Sequence, residues 1–291
     1  MGRCLIRQTS DKSYSKLTQL TPIKTYVISL SDQKIRRSLV SERLKSINQD
    51  FEFFNAIDGR IYDLKADPSY SGKKRRLYFG KDLTSPELGV LLSNREILKD
   101  IIKNNHQRAI VLEDDVIIES NFLHIISKLI DSDINWELVR FLGKPKMIRY
   151  QQRKIFNLGD DYNVVRIGNS PGGSYAYIIT LEGAKKLLKS MGKVYLPPDI
   201  LMGSPWLTKI DTLVIMPSIA TWDKQFQSSL DTPNRYNKKK DLRGVEVVFY
   251  PFTRLFFKLK IAFQKRLHFY KYYLNDKKTF AASVKKITNS N

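Results

Sequence analysis

The chain has 291 residues, 42% hydrophobic and 11% aromatic, enough to bury a full core as one large or two modest domains. Its single cysteine, Cys4, excludes a disulfide framework and a cysteine-based zinc site, and three scattered histidines, His106, His124 and His268, argue against a histidine-rich metal centre. Fifty lysines and arginines against 29 acidic residues give a net charge of +21, which calls for an anionic partner: nucleic acid, anionic lipid or a phosphorylated substrate.

Residues 1–21 are polar, mixed in charge and aperiodic, a lead-in without the apolar core of a signal peptide. Tyr26 to Leu30 predicts the first strand. Ser31 and Asp32 offer N-cap chemistry to an amphipathic helix marked by Ile35, Leu39, Leu44 and Ile47. Phe51 to Ile57 reads as a second strand, closed by the turn signal Asp58-Gly59. Strand, helix and strand in this order form a βαβ unit, so a parallel sheet is expected. From Arg60 to Lys81 the pattern dissolves into a loop whose basic run, Lys73 to Arg76, is either a solvated surface or an anion-binding loop. Thr84-Ser85-Pro86-Glu87 then signals a helix start with a capping box, and Leu88, Leu91, Leu92, Leu98, Ile101 and Ile102 continue that helix.

Arg108 to Glu119 organises the rest. Ala109 to Leu112 is an uncharged, mostly β-branched run suited to a strand buried on both faces. Glu113, Asp114 and Asp115 follow without a break. Three adjacent carboxylates cannot all be buried ionised, so the strand must end in water or on a cation. Spacing alone leaves a solvated acidic turn and a cation site both open. Oxygen ligands suit Mg²⁺ or Mn²⁺ held together with substrate phosphates, and the C-terminal edge of an open α/β sheet is where ligands sit.

Phe122 to Ile130 predicts a further helix and Trp136 to Leu142 a strand, while residues 144–163 are polar, basic and unassigned. Ser174 to Thr180 is a strand after Gly172-Gly173, Thr180 caps a helix from Leu181 to Met191, and Pro197-Pro198-Asp199 is a rigid connection. Thr212 to Met216 is the last strand, and Ala220 to Ser229, with Trp222, Asp223, Gln225 and Gln227, suits a pocket wall. From Asn237 the composition turns basic. No acid stands between Glu246 and Asp276, and Phe252, Phe256, Leu259, Phe263, Leu267, Tyr270 and Leu274 fall on one helical stripe accompanied by lysines and arginines. That helix either lies on an anionic membrane surface or packs on the domain. No apolar run approaches the ~20 residues that span a bilayer.

The order of these motifs resembles the glycosyltransferase family 25 enzymes, the lipooligosaccharide-type sugar transferases of Gram-negative bacteria, which are similar to the collagen galactosyltransferases. The resemblance rests on Tyr-Val-Ile-Ser-Leu at 26–30 with Arg36-Arg37 behind it, and Phe-Glu-Phe-Phe-Asn-Ala-Ile-Asp-Gly-Arg at 51–60. It continues through Leu-Thr-Ser-Pro-Glu-Leu-Gly-Val-Leu-Leu-Ser at 83–93, Ala-Ile-Val-Leu-Glu-Asp-Asp-Val at 109–116 and Gly-Ser-Tyr-Ala-Tyr-Ile-Ile-Thr-Leu-Glu-Gly-Ala-Lys-Lys-Leu-Leu at 173–188. It implies a GT-A-like α/β fold, a Rossmann-type, mostly parallel twisted sheet flanked by helices, over residues 22–236, ahead of the basic amphipathic extension that the composition marks over 237–291. It also implies inverting transfer of a hexose, galactose above all, from a UDP-sugar to a saccharide acceptor of lipooligosaccharide or lipopolysaccharide, assisted by Mn²⁺ or Mg²⁺.

On that reading Glu113 and Asp115 hold the metal, Asp115 most directly. Ser29, Leu30, Ala56, Asp58, Gly59 and Asp114 bind the nucleotide sugar, and Glu87 and Ser93 stand at the donor edge. Two departures stand out. Asn94 replaces the family's histidine, and Pro198-Asp199-Ile200 carries one acid where the family often has two. Asp199 is the expected base and Asp223 the second choice. The expected partners are a UDP-sugar, a glycolipid or oligosaccharide acceptor and an anionic membrane, with a cytoplasmic, peripheral location on the inner face of the plasma membrane. Nucleic acid is not expected, because the basic residues cluster in one loop and the C-terminal segment while the acidic motif would repel a polyanion. The rival reading is a basic nucleic-acid- or membrane-binding protein with an inactive GT-A-like domain.

Overall fold

In the strand run Tyr26-Val27-Ile28, alternate side chains enter two different cores. The same is true of Ala109 to Leu112, because helices cover both faces of the sheet these strands build. The computed structural model describes residues 23–61, 63, 66–141, 150–170, 172–226 and 239–288. The lead-in at 1–21, Leu142, the basic stretch 144–149, Gln227 to Ser229 and the start of the extension at Asn237 and Lys238 lie outside the described residues.

Among the described residues eight strands form one sheet: β1 (Lys24–Ser29), β2 (Glu52–Asn55), β3 (Arg108–Glu113), β5 (Leu138–Arg140), β6 (Gln152–Gly159), β7 (Tyr162–Ile167), β8 (Ala176–Thr180) and β9 (Thr212–Met216). Their order across the sheet is β2-β1-β3-β8-β5-β9-β7-β6. The pairings make six of the eight strands run one way, with β8 and β7 opposed. The α/β class and the parallel β1-helix-β2 unit are therefore as expected. A small ribbon of β4 (Val116–Ile118) and β10 (Ala220–Trp222) stands beside the sheet.

Helices α1 (Lys34–Ser46) and α4 (Phe122–Ile130) carry Val40, Leu44, Phe122, Ile125 and Leu129 into the core shared with Val27, Ile110 and Leu112. On the other face α3 (Ser85–Lys103) and α5 (Leu181–Ser190) pack Leu88, Leu91, Ile97, Leu98 and Leu187 against Tyr26, Ile28 and Val111. Each such fully buried Leu or Ile stabilises by about 1.5–3 kcal/mol. The capping box forms as read: the Glu87 N–H donates to Thr84 Oγ1 at 3.3 Å, and the Thr84 N–H donates to Glu87 Oε2 at 3.0 Å.

Several local expectations are corrected. Helix α1 takes Gln33, not Ser31 or Asp32, as its N-cap, with no side-chain cap bond. The expected loop from Arg60 to Lys81 contains α2 (Gly72–Phe79), whose basic run is helical because Tyr78 and Phe79 pack on Phe257 and Arg76 pairs with Glu246. The unassigned stretch holds the hairpin β6–β7, turned by Asp160 and Asp161 at positive φ as a tight two-residue turn requires. Pro198-Asp199 opens a short helix, α6 (Pro198–Met202), followed by α7 (Pro205–Thr208).

The basic C-terminal segment forms α8 (Glu246–Lys271) and α9 (Tyr273–Thr288). Both are bound to the sheet domain. Thr253 donates to the Leu77 carbonyl at 2.6 Å and Phe257 stacks on Tyr78 at 4.4 Å. Asp276 accepts from Arg153 and Arg166, each at 2.9 Å, and the Asn157 N–H donates to Ser283 at 3.0 Å.

Candidate active site

Parallel pairing of β1 with β3 puts Ser29 and Glu113 at the same end of the sheet, and a cleft opens there. Its walls come from the end of β1 (Ser29, Leu30), the turn after β2 (Ala56 to Arg60), the first turns of α3 (Pro86, Val90, Ser93) and the acidic triplet Glu113, Asp114 and Asp115. The turn is pressed hard onto the helix. A Cβ at Gly59 would stand 2.0 Å from the Ser85 carbonyl oxygen, and one at Gly89 2.6 Å from that of Ile57, so both positions require glycine. Ser93 fixes the same turn, accepting from the Ile57 N–H at 2.9 Å and donating to the Gly89 carbonyl at 2.7 Å.

The three carboxylates have different surroundings. Asp114 is buried and fully engaged, accepting from the Ser29 hydroxyl at 2.7 Å and from Arg36 at 3.0 Å. Glu113 accepts from Ser174 at 2.7 Å, and its poorly hydrated position, with the neighbouring Asp115 charge, pushes its carboxyl up to about 8. Asp115 lies 4.0 Å from Arg36, its Oδ1 is buried with no hydrogen-bond partner, and burial raises its carboxyl above the usual range despite that arginine. The cluster is short of positive charge, and Asp115 is where the shortage is exposed.

Among the described residues no three or more His, Cys, Asp or Glu side chains converge to enclose a cation. The orphaned oxygen of Asp115 fits one divalent ion held partly by the protein and partly by a ligand's own oxygens, the coordination that suits Mg²⁺ with phosphates.

Of the expected donor-site residues, Ser29, Leu30, Ala56, Asp58, Gly59, Ser93, Glu113, Asp114 and Asp115 all line this cleft. Glu87, Asp199 and Asp223 stand outside its lining. Glu87 closes the capping box. Asp199 accepts from the Gly173 N–H at 2.9 Å and from its neighbour Ile200 at 2.8 Å, which ties α6 to the turn that also carries Ser174. Asp223 is brought up by the β4–β10 ribbon, its N–H donating to the Asp115 carbonyl at 2.7 Å. The Gln225 N–H and the Arg43 guanidinium hold its carboxyl below the ordinary range. Asn94, at the family's histidine position, is buried between the Val90 carbonyl and the Tyr177 hydroxyl.

Sequence reasoning placed Arg36 in a family motif without giving it a role at the site, and missed Arg140. Arg36 approaches two carboxylates of the triplet and lies 4.9 Å from the Phe226 ring centre. Arg140 is fully buried at the end of β5, donates to the Gly173 carbonyl and is pulled down to about 10 by desolvation, with Asp199 and Glu113 among the charges that support it. A charged residue inside the apolar strand Leu-Val-Arg was the available signal, since a buried cation needs partners.

Residues 22–202, more than half of the chain, match the family described as Glycosyltransferase family 25 (LPS biosynthesis protein). The chain belongs to glycosyltransferase family 25. This family-25 chain is 29% identical over 193 residues to procollagen galactosyltransferase 2 of Homo sapiens, covering 60% of this chain and 29% of that protein. It is also 29% identical over 178 residues to a glycosyltransferase 25 family member of Aedes aegypti, covering 56% and 27%. A third relative, the inactive glycosyltransferase 25 family member 3 of Homo sapiens, is 29% identical over 179 residues, covering 57% and 29%. The chain thus spans less than a third of the length of these relatives. The family match contains every expected site residue except Asp223.

Proposed function

We propose that this protein transfers a hexose, galactose first among the candidates, from a UDP-sugar to a saccharide acceptor of the lipooligosaccharide or lipopolysaccharide type, with inversion at the anomeric carbon. The observation that carries the reading is the cleft at the ends of β1 and β3, where the family's motifs meet around a carboxylate cluster short of positive charge. The uridine lies against Leu30 and the Ala56 to Gly59 turn, and the diphosphate turns toward Arg36 and Asp115. A Mn²⁺ or Mg²⁺ ion held there by Asp115 would supply positive charge to the leaving diphosphate.

Transfer requires the acceptor hydroxyl oxygen to bond to the anomeric carbon as the bond from that carbon to the UDP oxygen breaks, its electron pair leaving with UDP. Asp199 takes the hydroxyl proton. Its two backbone N–H donors fix the carboxylate in place, whereas the Gln225 N–H and Arg43 hold the Asp223 carboxyl below the ordinary range and make it a weak base. Arg36 and Arg140 offset charge around the cleft from fixed positions.

A second reading follows from the similarity to a relative whose name calls it inactive: a family-25 domain that binds without transferring. UDP release from UDP-hexoses in the presence of Mn²⁺, with and without a lipooligosaccharide acceptor, separates the two. Asp199→Asn is expected to lower turnover by about 10²–10⁴-fold while UDP still binds. Near-normal turnover in that variant would remove Asp199 as base, and no UDP release from any UDP-hexose by the wild type would leave the second reading.

A further inference from the structure

Helix α8 has two apolar faces, and among the described residues only one is packed against the rest of the protein. Phe257 stacks on Tyr78 and Thr253 bonds the Leu77 carbonyl, so the inner face is anchored to α2. On the other side Val248, Phe252, Phe256, Leu259, Phe263 and Leu267 follow at intervals of three and four residues and are 59–72% exposed. At 1.5 Å per residue this stripe runs for about 30 Å, far more open apolar surface than a soluble protein leaves without use.

The charges beside the stripe have one sign. Lys258, Lys260, Arg266 and Lys271 are exposed on the same helix. Glu246 and Asp276, the only acids from the start of α8 into the first turn of α9, are buried against Arg76 and against Arg153 and Arg166. Nothing negative is presented outward by this segment.

We propose that the outward face of α8 docks in the plane of an anionic lipid bilayer, its aromatic and leucine side chains among the acyl chains and its cations at the head groups. Among the described residues no helix is long and apolar enough to cross a membrane, so the contact is interfacial. A second copy of the chain would bring one lysine-rich stripe against another, and a nucleic acid would leave the phenylalanines without a use. The proposal does not depend on the transferase reading, because its test reads binding alone.

The full chain is sedimented with phosphatidylcholine vesicles and with vesicles that mix phosphatidylglycerol into phosphatidylcholine, at rising salt. Binding to the anionic vesicles is expected to be at least about tenfold tighter and to weaken with salt. The combined Phe256→Ser, Leu259→Ser and Phe263→Ser variant, altered only at exposed positions, is expected to keep its melting temperature and to lose at least about tenfold in vesicle binding. Lys258→Glu with Lys260→Glu and Arg266→Glu is expected to abolish the preference for anionic lipid. A wild type that stays in the supernatant with anionic vesicles would overturn the proposal, as would a serine variant that binds as before. So would a lipid-free dimer that the serine variant converts to monomer, which would assign the stripe to a second copy.

Discussion

Two carboxylates, the buried Asp276 and the half-buried Asp115, show how differently the two ends of this molecule treat charge. Asp276, in the first turn of α9, is 1% exposed and accepts from both Arg153 and Arg166, while Asp211 beside the start of β9 balances Arg166 from the other side. Asp115 shares one arginine with Asp114, keeps an unpartnered buried oxygen and is raised above the ordinary carboxylate range. Charge is matched where the C-terminal helices are fastened to the sheet and left short where a ligand is expected. The first arrangement holds the fold together. The second stores a demand that only something from outside satisfies.

The comparison makes opposite predictions for conservative substitutions at the two ends. Asp276→Asn leaves Arg153 and Arg166 without their shared counter-charge and should cost about 3–5 kcal/mol in urea unfolding; a loss below about 1 kcal/mol would mean the network is not structural. Gly59→Ala, which drives a Cβ into the Ser85 carbonyl, should destabilise by about 1–3 kcal/mol and loosen UDP binding together, because the same turn forms the cleft wall. Asp115→Asn should do the reverse of Asp276→Asn, raising stability by about 1 kcal/mol by relieving the desolvation of the charged carboxylate and its repulsion by Asp114, while abolishing Mn²⁺-dependent UDP binding in a calorimetric titration. A destabilised variant, or one with unchanged Mn²⁺-dependent UDP affinity, would place Asp115 with the structural carboxylates.

The smallest effect belongs to His268, on α8 beside a cavity of about 870 Å³ and near Arg166. Burial, with that cation, lowers its imidazole from the ordinary value of 6.5 to about 4. Between those values the unfolded chain binds the proton more readily than the folded one, so this group makes stability fall as pH drops through that window. His268→Gln should flatten the wild-type slope there by a few tenths of a kcal/mol to about 1 kcal/mol, read from urea midpoints. Equal slopes in both proteins would show that His268 is not held neutral.

How legible each part was follows from the sequence distance over which its forces act. The ends of β9 and α4 fall at the residues predicted, and the Thr84–Glu87 capping box forms, because those signals lie within a few positions of one another. The cleft was legible because each wall carries its own local mark: Ser29 at a strand end, Asp58-Gly59 at a turn, three acids after an apolar run. Arg153 and Arg166 look like solvated cations from their neighbours alone, yet both are drawn in from solvent, Arg166 fully, by an aspartate more than 100 positions away. Arg76 was misread for the same reason, its partner Glu246 standing 170 positions on. Without those partners the hairpin of β6 and β7 and the helix α2 have no visible reason to order.

The position of β9 limits how the molecule can be divided. The match to the family as a whole ends at residue 202, but β9 begins at Thr212 and lies inside the sheet between β5 and β7, and β10 supplies the strand partner of β4 just beyond Asp115. A fragment cut where the likeness stops would leave β5 and β7 with no strand between them and expose the edge of the ribbon that carries the carboxylate turn. Any minimal version of this protein for expression or crystallisation therefore has to run at least through Trp222, whatever the length of the shared segment suggests.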